Sequence, residues 1–224
     1  MNILLLLLEV LVVFILMILF YKLDKKNGLY IYICLLASSL SVMLTESIDF
    51  LSFRVNINVP VIIGVLICNN VIIQKFGIDE VKRIMYTFGI SYVITYVIVT
   101  LSSLIYGGEL FISNDEVFNN LLGYGIDNMR CFVGSFISML VMIFIGSGIY
   151  YSIRKNKNIL VVSNSGTIFV VSFVESLVFI LISYIGNFTL IELFGMISIR
   201  YVLEVIVGIL GCIPIYWLVK YIDK

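Results

Sequence analysis

Long apolar runs alternate with short polar breaks along the whole chain. The runs cover roughly 2–21, 29–52, 58–76, 84–106, 130–153, 166–186 and 194–220. A helix needs about 20 apolar residues to cross a bilayer, and each run is long enough or nearly so. None shows the strict two-residue alternation of a barrel strand, and helices satisfy their own backbone in lipid. The pattern predicts an all-α polytopic bundle of about six to seven transmembrane spans, forming one domain over residues 1–224. The first run, MNILLLLLEVLVVFILMILFYKLDKK, lacks a basic leader and a small-residue cleavage pattern, so it is expected to be a span. The longest polar connection, YGGELFISNDEVFNNLLGYGIDNMR, places Val117, Phe118, Leu121 and Leu122 at helical spacing, as for a short interfacial helix.

Composition agrees. Of 224 residues, 62% are hydrophobic and 12% charged, with a mean hydropathy of +1.16, far more apolar than a soluble surface tolerates. Basic residues are unevenly placed. Lys22, Lys25, Lys26, Lys75, Lys82, Arg83, Arg154, Lys155, Lys157, Lys220 and Lys224 follow alternate runs, whereas Arg54, Arg130 and Arg200 fall on the other side. The positive-inside rule then predicts an N-terminus out and a C-terminus in. The net charge of zero offers nothing to a nucleic acid. Histidine is absent, which removes histidine zinc sites, Ser-His-Asp triads and Cys-His dyads. Cys34, Cys68, Cys131 and Cys212 are dispersed and read as small buried hydrophobes. No enzyme activity, metal or cofactor is expected.

Polar residues inside apolar spans carry the remaining information, because they are costly in lipid. The second run aligns Ser38, Ser41, Thr45 and Asp49; the fourth aligns Thr87, Ser91 and Thr95. The fifth carries Gly134, Ser138, Met142 and Gly146 at four-residue spacing. The sixth aligns Ser172, Glu175, Ser176 and Ser183; the seventh holds Arg200, Glu204, Gly208, Gly211 and Cys212. Ser, Thr and Gly are expected mainly to pack helices together. Glu175 is different: a carboxyl near a span centre costs about 2.5–3.5 kcal/mol even on insertion scales, which points to a pairing or a pathway. Arg200 and Glu204 either neutralise each other one turn apart or face a cavity. Glu9, near a membrane surface, carries little weight.

Four stretches resemble one family. NDEVFNNLLGYGIDNMRCFVGSFISMLVMIFIGSGIYYSIRKNKN, from Asn114, is similar to the vitamin uptake transporter (VUT) family, the YhhQ-type queuosine precursor transporters, through Phe118, Arg130, Ser135 and Arg154-Lys155. NNVIIQKFGIDEVKR agrees at Gly77, Lys82 and Arg83. SNSGTIFVVSFVESLVF agrees at Asn164 and Phe179, with Glu175 for an aspartate and Ser176 for a threonine. The tail GCIPIYWLVKYI agrees through Pro214 and Tyr216. Residues 58–220 carry the likeness. Asn70 and Gln74 stand where the family has two acids, Gly146 where it has an aspartate, and Glu204 where it has a lysine.

The resemblance implies import of 7-deazaguanines (preQ0, preQ1, queuine or queuosine) across a bacterial cytoplasmic membrane for tRNA modification. The expected partners are a small purine-like substrate and the lipid bilayer, with a homodimer left open. Asn70, Gln74, Glu175, Arg200 and Glu204 are expected to line a cavity between the third, fifth, sixth and seventh spans. Amides pair with a heterocycle's amide-like edge, and Glu175 is the candidate proton carrier. Two other readings stay open: the substrate-binding subunit of a vitamin importer, and a non-transporting membrane protein whose polar seams only pack.

Overall fold

A computed structural model describes residues 2–43, 47–50, 53–56, 58–103, 126–156 and 160–217. The proposed interfacial helix at 117–122 lies outside them. Six long helices make up nearly all of the fold: α1 (Asn2–Val42), α2 (Val59–Phe76), α3 (Val81–Ser103), α4 (Ile126–Asn156), α5 (Leu160–Tyr184) and α6 (Leu190–Trp217). All six are long and apolar enough to cross a membrane. The protein is an integral membrane helix bundle.

α1 is two spans. Asp24 and Lys25 leave the helical region, with φ of 28° at Lys25, and the chain doubles back. The Tyr32 hydroxyl therefore donates to the Val13 carbonyl at 2.8 Å, although a straight helix would part these residues by roughly 28 Å. Gly28 permits the reversal, since a β-carbon there would overlap the Phe20 carbonyl oxygen. The described residues thus contain seven crossing segments.

α2 is the axis of the bundle. Every residue from Val59 to Ile73 is buried, because α1, α3, α4, α5 and α6 follow one another around it in a closed ring. Lipid offers no hydrophobic drive for this association, so close packing by small residues must supply it. Gly208 of α6 is one such notch: it receives Ile168 of α5, whose Cγ2 would lie 2.6 Å from an added β-carbon. The seams expected on the second and fourth runs also meet, with Thr95 Oγ1 donating to Ser38 Oγ at 2.9 Å.

Several boundaries differ from expectation; α4, for one, starts at Ile126 and not 130. The second span stops at Val42, and Ser47–Phe50 (β1) pairs antiparallel with Phe53–Asn56 (β2). The sequence SIDFLSFRVN alternates polar and apolar on either side of Leu51-Ser52, which is a hairpin pattern hidden at the end of an apolar run. Asp49 consequently does not continue the Ser38–Ser41 face; its register partner is Arg54. α6 begins at Leu190, four residues early, because Thr189 and Glu192 form a capping box. The Glu192 carboxylate accepts from the Thr189 amide and hydroxyl, both at 2.8 Å. α5 likewise starts at Leu160, not 166.

The α1 reversal, the Gly77 turn and the last turn of α4 share one end of the bundle, rich in lysine and arginine. There Glu80 accepts from Lys26 Nζ and from the Tyr30 hydroxyl, each at 2.6 Å, and Arg83 lies 4.7 Å over the Tyr30 ring. At the opposite end Arg130 reaches the Asn187 side chain and the Ile185 carbonyl, tying α4 to the α5–α6 turn.

Candidate functional site

The five residues singled out from sequence divide into two groups, both reached by one face of α5. Glu175, Arg200 and Glu204 form the first. Arg200 Nη2 lies 2.9 Å from Glu175 Oε1, and Arg200 Nε lies 3.1 Å from both Glu175 Oε2 and Glu204 Oε1. The two readings of Arg200 and Glu204 therefore merge: the guanidinium serves an acid on its own helix and one on its neighbour. Ser138 of α4 donates to Glu175 Oε1 at 2.9 Å, and Ser176 approaches Glu204 Oε1 at 3.5 Å. The Phe179 ring lies 4.1 Å beneath the guanidinium, adding a cation–π contact.

This ionic cluster is sealed, with side-chain exposures of 0–1%. Isolated, any of its charges would be prohibitive at that depth; bidentate pairing makes them tolerable. The accounting is nevertheless incomplete. Arg200 Nη1 is buried without a hydrogen-bond partner, whereas Ser172 stands against the Glu204 carboxylate. Arg200, which the charge pattern assigned to the far side of the membrane, is instead fully interior.

The second group lies about 16 Å away, eleven residues along α5 at 1.5 Å per residue. Asn70 Nδ2 donates to Asn164 Oδ1 at 2.9 Å. Its neighbour Asn69 turns to α4 and donates to Ser147 Oγ at 3.1 Å. Gln74 Oε1 accepts from the Tyr150 hydroxyl and from Arg154 Nε, both at 2.9 Å. Asn70 and Gln74 thus join α2 to two different helices, one to α5 and the other to α4. Asn70 Oδ1 and Arg154 Nη1 are buried without partners.

Between the groups lies an apolar waist. Ile168 and Val171 of α5 are wholly buried there, beside Gly208 and Gly146. Among the described residues, this waist stands between the two groups. Sequence reasoning also missed Asn69, Ser147, Tyr150 and Arg154 as partners. Tyr150 and Arg154 are one turn apart on α4, a spacing that could have signalled a common target. Nothing in one sequence says that the target is Gln74.

A ring of helices around a buried axis, with a paired charge cluster at membrane depth, is the architecture of a small polytopic carrier. Residues 59–219 match the model of a family described as "Putative vitamin uptake transporter". The match spans most of the chain, which belongs to that family. No curated protein and no solved structure matches it.

Proposed function

We propose that this protein imports 7-deazaguanine compounds, with the lysine-rich end in the cytoplasm of a bacterial cell. One observation carries the reading. Arg200 Nη1 is a buried donor without a partner, and the Glu204 carboxylate lies on the same guanidinium, in one dry cluster. A lactam edge, with a carbonyl beside an N–H, complements such a pair, and discrimination against analogues lacking that edge follows from leaving buried groups unpaired. Phe179, already under the guanidinium, adds an aromatic face against which a flat heterocycle can stack. Family membership supports the transport of a vitamin-like solute.

The same cluster suggests how uptake is energised. Two carboxyls share one guanidinium, so one proton completes the charge balance. Glu175 is held by both arms of Arg200 and by Ser138. Glu204 meets the guanidinium through Nε alone and is the stronger candidate for the exchanging group. The test is uptake of labelled queuine in cells lacking other importers, read as queuosine in tRNA. Incorporation above the vector level is expected, and none for any deazaguanine would sink the proposal.

A further inference from the structure

A cavity of about 1040 Å³ lies between α3 and α4 near the lysine-rich end. Its walls include Lys82, Tyr86, Phe144, Ser147 and Gly148. It is large enough for a small ligand, at the upper end of the usual range. One wall is chemically distinctive, because Ser147 is also the partner of buried Asn69. The single hydroxyl proton of Ser147 goes to the Ile143 carbonyl one turn back. The hydroxyl can therefore accept from Asn69 Nδ2 but cannot also donate to Asn69 Oδ1, which it approaches at 3.3 Å. Asn69 Oδ1 keeps spare acceptor capacity, and Asn70 Oδ1 beside it has no partner.

We infer that the α3–α4 cavity is the cytoplasmic vestibule of the transport route, and that the Asn69 carbonyl, behind Ser147 of the cavity wall, is a second station. This rests on the transport reading and adds to it where the substrate leaves. The station offers an acceptor, so it suits the N–H edge of an uncharged or cationic heterocycle. It lies beyond the Ile168–Val171 waist from the ionic cluster. In this structure the waist is shut while the vestibule stands open, so a molecule at the second station would exchange with the cytoplasm alone.

Gly148 supplies the test, because a β-carbon added there meets nothing within 4 Å. Side chains at that position enter the cavity without disturbing the packing. In a Cys34→Ser background, which removes the most accessible native thiol, Gly148→Cys should react with a membrane-impermeant thiol reagent applied from the cytoplasmic face. Queuine should slow that reaction. Gly148→Trp, expressed and eluting as a folded protein, should fall to the vector level.

Reaction of Gly148→Cys with lipid-soluble maleimide but not with the impermeant reagent would show a lipid-filled groove and overturn the vestibule. So would wild-type import by Gly148→Trp, which leaves the transport reading standing. Failure of the wild type to import any deazaguanine overturns the transport reading instead. The thiol accessibility still decides whether the vestibule is aqueous.

Discussion

The two polar groups on α5 solve the same problem with different chemistry. Toward the hairpin end the bundle buries full charges, and toward the lysine-rich end it buries amides. Full charges at depth must be matched almost atom for atom, so Glu175, Arg200, Glu204 and Ser138 are locked together. Amides are cheaper to bury and cheaper to part. A carrier needs both qualities: a specific, tight station and one that releases. The contrast is between matched opposite charges on one side of the waist and amides with a single cation, Arg154, on the other.

The sharpest way to break this contrast is Arg200→Ala. It strands two carboxyls in a sealed site, and removing one partner of a buried ion pair costs about 3–5 kcal/mol. Little folded protein is expected by fluorescence-detected gel filtration, and no uptake. A folded Arg200→Ala protein with a normal melting curve would show that the cluster is not what holds α5 to α6.

Glu204→Gln is expected to fold, because the amide oxygen can still accept from Arg200. Wild-type uptake is expected to depend on external pH, and the Glu204→Gln rate, measured across a pH series, is expected not to. If the dependence survives, the exchanging proton resides elsewhere.

At the amide group the effects shrink and one reverses sign. Gln74→Glu gives Arg154 an anionic partner at a position already 2.9 Å from its Nε. Turning this bond into an ion pair at a partly exposed site should add up to about 1 kcal/mol, raising the melting temperature in detergent. Asn70→Leu removes the bond to Asn164 and should cost about 0.6 kcal/mol, the average for an interhelical hydrogen bond in a membrane. A loss as large as that of Arg200→Ala would erase the distinction between the two groups.

Much of the fold was legible because hydropathy reports span length directly. The lysine cluster around residue 25 marked the reversal inside α1, even though helix runs on either side of it. The hairpin was lost because Ile48, Phe50, Phe53 and Val55 are as apolar as a span, and a hydropathy window averages away their alternation with Ser47, Asp49, Arg54 and Asn56. At the site, the cost of burying charge singled out Glu175, Arg200 and Glu204, and the structure brings them together. The amides were harder. Their identity was visible, but their partners depend on how α4 and α5 rotate against α2, which no local pattern encodes.

The burial of α2 has a consequence for how this protein is made. A segment enclosed on every side in the finished bundle is nevertheless synthesised before α3, α4, α5 and α6. Until those helices arrive, Asn69 and Asn70 must wait in hydrocarbon, or at its edge, without Ser147 and Asn164. The axis of the finished bundle is thus a guest in the nascent one. Its polar side chains favour late capture by the second half of the chain, so biogenesis ends with the ring closing around a helix inserted long before.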